Sequence, residues 1–201
     1  MMRRPAPRGV TLIELAVVVA LVALLLLAII PSASNWIRNI QIRNVATSMQ
    51  AGLQRARAEA MRRNTNVRFS LVKVTDPAVL DDSCTVSEDG ASWVVSLDEP
   101  TSKCATAVSD TTAPRILDKA AGGSGSRMLV VQGTSAGGDD AAIVVFNGFG
   151  RAVDATGIST IDIGNVVTGD DFRALRIVVG TGGTIRMCEP GVTANSDPRR
   201  C

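Results

Sequence analysis

The 201-residue chain has no histidine and no tyrosine, and aromatic residues make up only 3% of it. Without histidine there is no imidazole general base and no His-ligated metal. A Ser–Lys arrangement could be drawn on paper, but nothing in the sequence places a serine beside Lys73, Lys103 or Lys119. No catalytic residue and no enzymatic activity are expected. The cysteines form no C-x-x-C element, which argues against a thiolate zinc site. The acidic pairs Asp81-Asp82, Asp139-Asp140 and Asp170-Asp171 lack EF-hand spacing, so they read as solvated turns, with no metal and no cofactor expected. So few aromatics leave no stacking platform for single-stranded nucleic acid. The stretch 121–126 is rich in Gly and Ser but lacks the Gly-Lys-Ser/Thr ending of a phosphate loop, so it reads as a flexible loop.

What is present is unevenly spread. The formal net charge is only +2, yet residues 1–9 hold three Arg and no acid. Residues 10–63 hold six Arg against Glu14 and Glu59, and residues 64–201 hold twelve Lys/Arg against seventeen Asp/Glu. That balance does not describe a strongly basic nucleic-acid binder. Residues 15–30 carry no polar side chain, and the run from Val10 to Ile30 is twenty-one residues long. At about 1.5 Å per residue such a helix spans roughly 30 Å, a bilayer core. The basic flank predicts a cytoplasmic N-terminus, with everything after the helix outside the cytoplasm. A secretory signal peptide or a plain signal anchor shares these features. Neither uses Glu14, a carboxylate in an apolar run that needs a partner.

The string Arg8-Gly9-Val10-Thr11-Leu12-Ile13-Glu14-Leu15 resembles the processing motif of type IV prepilins and type II secretion pseudopilins. The resemblance implies a leader over 1–9, cleavage between Gly9 and Val10 by a prepilin peptidase/N-methyltransferase, and methylation of Val10. The family usually has Phe at that first position. Glu14 becomes the fifth mature residue and compensates the N-terminal amine of a neighbouring subunit. Either charge alone in an apolar filament core would be badly desolvated. Thr11 and Pro31 belong to the same assembly segment. Residues 10–30 are then a transmembrane and filament-core helix.

Pro31 removes a backbone donor and is expected to kink or loosen the helix. Over 31–64 the helix continues as an amphipathic one, because Ile42, Val45, Met49, Leu53, Ala56 and Ala60 recur at spacings of three and four. Six Arg (38, 43, 55, 57, 62 and 63) lie mostly off that stripe, reading as a solvated or headgroup-facing surface, or else as a face for acidic neighbours. Asn64 reads as the terminating residue. From Val67 the period changes to two, with strands expected at 67–71, 93–97, 128–132, 142–146, 151–153, 158–163, 174–179 and 184–188. Asn147-Gly148 and Gly180-Thr181-Gly182-Gly183 mark hairpin turns. The expected class is α+β: a type IV pilin-like fold, a long N-terminal helix packed on an antiparallel β-sheet head over 65–201.

The segment 54–64 (Gln-Arg-Ala-Arg-Ala-Glu-Ala-Met-Arg-Arg-Asn) looks like the GspH/FimT branch of minor pilins. So do 144–151 (Val-Val-Phe-Asn-Gly-Phe-Gly-Arg) and the late pair 176–179 and 183–188. The resemblance implies a minor pilin or pseudopilin that helps initiate or cap a type IV pilus or type II secretion pseudopilus, with pilus biogenesis slightly favoured. Its partners would be other minor and major pilins or pseudopilins, and its place the inner membrane with a periplasmic head. Some FimT-type pilins bind DNA through a late Gly-Arg-x-Arg motif. Here that place reads Gly183-Thr184-Ile185-Arg186, so the alternative is DNA binding through a C-terminal patch of Arg176, Arg186, Arg199 and Arg200. The four cysteines lie on the expected extracytoplasmic side. Four allow three pairings, and Cys84 with Cys104 and Cys188 with Cys201 are favoured because each closes a short loop.

Overall fold

The computed structural model describes residues 9–169 and 171–201, with the side chains of 26–33 outside that description. It divides into two compact units, Met1–Ile37 and Arg38–Cys201. One helix, α1 (Leu12–Arg63), contributes to both. Its start is a capping box: the Thr11 N–H and hydroxyl donate to Glu14 Oε2 at 3.0 and 2.9 Å, and the Glu14 N–H donates back to Thr11 Oγ1 at 3.3 Å. Its end is a Schellman turn. Asn64 takes φ 51°, Asn64 N–H donates to Met61 O and Thr65 N–H to Ala60 O. The kink expected at Pro31 falls among side chains outside the described residues; the helical assignment runs unbroken through that position.

The strands are β1 (Val67–Lys73), β2 (Thr85–Val86), β3 (Ser92–Ser96), β4 (Ile116–Ala120), β5 (Leu129–Thr134), β6 (Ile143–Phe146), β7 (Thr160–Asn165), β8 (Leu175–Val179) and β9 (Ile185–Cys188). They form two antiparallel sheets rather than one. The first runs β2-β1-β3-β4, with β6 also on β1, and the second runs β5-β7-β8-β9. The chain is thus α+β, a long helix with an antiparallel β head. The helical stripe Ile42, Val45, Met49, Leu53, Ala56 and Ala60 is buried in one core with Val67, Phe69 and Leu71 of β1 and Ile161, Ile163 and Ile177 of the second sheet. Each residue of the stripe is at most 5% exposed. At about 25 cal/mol per Å² of apolar surface, this shared core is the main force joining helix and head. Trp93 marks the seam: its indole N–H donates to Ser48 Oγ at 2.9 Å, its ring stacks on Phe69, and Gly52 leaves room for it.

The alternate residues of the first sheet face the other way. Val72, Val94 and Ile116 form a second, smaller core with the Cys84–Cys104 disulfide. Between β1 and β5, where only the strand at 93–97 was expected, the chain thus adds β2 and β4 and covers a sheet face. Three further readings are corrected. The stretch 121–126 is no loose linker: Ser124–Met128 forms a 3-10 turn, the Gly122 N–H donates to Ser92 Oγ, and the Gly123 N–H donates to Pro77 O. Met128 consequently belongs to that turn, not to a strand. Residues 151–153 contribute only a single bridge, Phe146 to Ala152. The tight turn at Asn147 returns the chain for two residues before it leaves the sheet.

Candidate assembly site

At the head of α1, Gly9, Val10, Thr11 and Glu14 are all exposed. A Cβ added to Gly9 would meet nothing within 4 Å among the described residues, so no packing against them requires glycine there. Gly52 is the opposite case, since a Cβ there would press into Trp93 and Phe69. Thr11 and Glu14 are brought together by the capping box. Those reciprocal bonds satisfy helix-end donors that would otherwise lack partners. Beyond them the described apolar side chains stand open, with Leu12 86% and Leu24 65% exposed. Among the described residues no helix is long and apolar enough to cross a membrane. The apolar run itself continues in sequence to Ile30, into residues whose side chains are not described.

At the other end of α1 stands a cluster that sequence reasoning did not single out. Glu59 is buried and is met by three guanidiniums: Arg62 at 2.6 Å, Arg63 at 2.9 Å and Arg55 at 3.2 Å. Burial pushes its carboxyl up, but the hydrogen bonds from Arg62 and Arg63 and the nearby positive charges outweigh that and hold it below the usual range. Arg63 also reaches Asp110 at 3.4 Å, and Arg57 Nε donates to Gly150 O at 3.0 Å. Of the arginines that read as a solvated face, Arg57 and Arg63 thus bind the helix end to its own head, while Arg55 and Arg62 stay more than half exposed. The signal was present as Arg at i−4, i+3 and i+4 around one Glu.

The remaining residues of interest are dispersed. Cys84 and Cys104 are joined with Cα atoms 6.1 Å apart, and Cys188 and Cys201 at 5.1 Å. Arg176 is engaged by both oxygens of Asp162 at 2.7 and 2.9 Å. Arg199 holds Asp197 at 2.7 Å and lies 3.6 Å from Glu189. The Arg199 guanidinium brings the Asp197 carboxyl down to about 2. Arg186 donates to the backbone carbonyls of Arg200 and Cys201, both at 3.3 Å, and Arg200 is exposed. Two of the four cations are therefore committed to carboxylates of the same chain. Of the acidic pairs, Asp81 accepts from Ser83 and Asp140 from Gln132 Nε2, while Asp170 lies outside the described residues. No group of three or more Cys, Asp or Glu converges as a metal site among the described residues.

Residues 45–199 match the family described as type II transport protein GspH, and residues 4–30 match the prokaryotic N-terminal methylation motif. Crystal structures of the type IV minor pilin FimU of Pseudomonas aeruginosa (strain PAO1) are similar to this chain in two crystal forms. In space group P65 the identity is 16%, with 76% of this chain and 99% of that one covered at a TM-score of 0.45. In space group P21 the identity is also 16%, with 76% and 95% covered at a TM-score of 0.43. No curated protein matches the sequence.

Proposed function

This chain belongs to the GspH family of type II transport proteins, and from that premise we propose that it is a minor pilin or pseudopilin that helps initiate or cap a short filament growing from the inner membrane. The observation that carries the reading is the joining, in one chain, of an N-terminal methylation motif over 4–30 to a GspH head over 45–199. The prepilin peptidase/N-methyltransferase removes residues 1–9 and methylates Val10. Residues 10–30 anchor the precursor in the inner membrane and then enter the filament core, 31–64 continue the helix, and 65–201 form the periplasmic head. Glu14 keeps Thr11 as its partner in the isolated subunit and offers a carboxylate to a neighbour's amine on assembly. Pilus biogenesis is favoured over secretion because 54–64 resembles the pilus branch.

Mass spectrometry of the mature N-terminus is expected to find methylated Val10, and a start near Asn35 would refute processing of the prepilin kind. Glu14→Ala is expected to be processed normally and to fail in filament incorporation. Unchanged incorporation together with unchanged piliation and secretion would reject the mechanism. A DNA-binding pilin is the second reading, carried by the exposed Arg186 and Arg200. It ranks second because Arg176 and Arg199 already have carboxylate partners. An electrophoretic shift at low salt that is lost in Arg186→Ala would promote it.

A further inference from the structure

The chain has six aromatic residues. Phe69, Trp93 and Phe146 are buried, and Phe172 lies under the guanidinium of Arg38 at 5.8 Å. Trp36 is exposed but lies in the N-terminal unit. Phe149 alone stands out from the head, 83% exposed. A mobile loop tip would make that unremarkable, but this turn is held from several sides. Asn147 Oδ1 accepts the N–H groups of Phe149 and Arg151 at 3.0 and 3.1 Å, and the Gly150 N–H donates to Asn147 O at 2.8 Å. Arg57 fixes Gly150 O from α1. On either side of Phe149, a Cβ on Gly148 would strike Asn64, and one on Gly150, where φ is 72°, would strike Met61. The two glycines let the backbone lie against the helix end, and the residue between them points its ring into solvent.

The surroundings supply the chemistry of a partner. Met61 and Val153 are 45% and 50% exposed nearby in the same turn region. Arg151, two residues on, is exposed, and its guanidinium has no hydrogen bond or ion pair among the described residues. Arg62 is mostly exposed and has one carboxylate, already shared with Arg55 and Arg63. A rigid aromatic with an adjacent unsatisfied guanidinium is the composition of a binding anchor, in which truncation of one side chain costs much of the affinity. The positive surplus calls for carboxylates on the other side.

Building on the proposed filament role, we infer that Phe149 and Arg151 form a docking knob for a neighbouring pilin-type subunit of a different sequence, seating in an apolar pocket rimmed by Asp or Glu. The experiment places the photo-crosslinker p-benzoylphenylalanine at position 149 of the full-length chain in its native cells, with position 108, another exposed head site, as control. Irradiation is expected to give an adduct at 149 and not at 108. Mass spectrometry should identify its partner as a subunit with an N-methylation-type N-terminus, attached beside an acidic side chain. Arg151→Glu is expected to lower the adduct yield at least tenfold and Arg151→Lys to retain most of it. An intact Cys84–Cys104 bridge on non-reducing gels shows that the variants fold. Absence of an adduct, attachment to a second copy of this chain, or loss of DNA retention rather than of a subunit contact in Phe149→Ala each overturns the inference. If Val10 is methylated and Glu14→Ala blocks incorporation while no adduct forms, the docking inference fails alone. If Val10 is not processed, the filament reading fails with it.

Discussion

The two halves of α1 share one backbone conformation and have opposite surfaces. From Leu12 to Leu25 the large apolar side chains are open, as at Leu21, which is 57% exposed, whereas from Ile42 to Ala60 the apolar stripe is sealed. The halves also treat their glutamates differently. Among the described residues Glu14 is exposed and bonded to Thr11, while Glu59 is buried among three arginines. In the second half the stripe and the acid are enclosed by the same chain, so its residues report on folding. In the first half the described apolar side chains stand open and the acid is held by a helix cap alone among the described residues, so its residues should report on assembly. Substitutions matched between the halves sharpen or break that division.

A clear difference is expected at the two acids. Glu59→Ala removes one carboxylate and leaves three guanidiniums crowded at the helix end. Arg55 and Arg62 are more than half exposed and rehydrate, so the lost charge-assisted hydrogen bonds cost about 1.5–3 kcal/mol. Glu14→Ala removes the reciprocal half of the capping box at the exposed helix start, a local loss that should leave unfolding of the head unchanged. Urea unfolding of the full chain, followed by Trp93 fluorescence with Trp36 replaced by Phe, reads the head in both variants. A Glu14→Ala change as large as that of Glu59→Ala would break the comparison. Acid adds a second check. The folded Glu59 carboxyl lies below its unfolded value, so its stabilisation is present above about pH 4.5 and is lost as pH falls through the folded value. Glu59→Gln should flatten that part of the stability curve.

Much of the second half was readable from spacing alone. A stripe at three and four residues has one outcome when a sheet covers it, and Asn64 could end the helix because Asn tolerates the left-handed conformation at low cost. The strands with alternating patterns were likewise visible, β7 and β8 among them. What escaped were the two-residue β2, too short to show a period, and β4, covered on both faces at its start. In β4 the adjacent Ile116 and Leu117 are both buried, one in each core, so the period of two vanishes. Glu59 escaped for a related reason: a glutamate flanked by arginines on a helix usually signals solvent, and only the approach of the head buries it. At the candidate site, the residues of 9–14 were legible as a motif, whereas the Phe149 turn needed the three-dimensional meeting of Asn64, Met61 and Gly150.

A contrast at least as large is expected at the apolar residues. Leu53 is fully buried, and Leu53→Ala should cost about 2–5 kcal/mol through lost transfer energy and the cavity left behind. Leu21→Ala, at an exposed position, should stay within about 0.5 kcal/mol of the parent in the same unfolding measurement. Incorporation into filaments should reverse the ranking when both variants are expressed at levels that compensate for turnover. If Leu21→Ala assembled normally and still destabilised the head, the two halves would not be separable.

The smallest effect tests whether burial, rather than Arg–carboxylate chemistry itself, sets the energy at Glu59. Arg68 and Glu99 approach to 2.6 Å and Arg63 and Glu59 to 2.9 Å, but the first pair is 29% and 52% exposed and the second 20% and 6%. Exposed pairs trade their contact against hydration and side-chain entropy, and a double-mutant cycle on Arg68 and Glu99 should give a coupling of about 0–1 kcal/mol that shrinks further in salt. The same cycle on Arg63 and Glu59 should give a larger, less salt-sensitive coupling. Equal couplings would mean that the helix end is held by the apolar stripe alone. The three arginines would then be a solvated face after all, with the carboxylate merely enclosed among them.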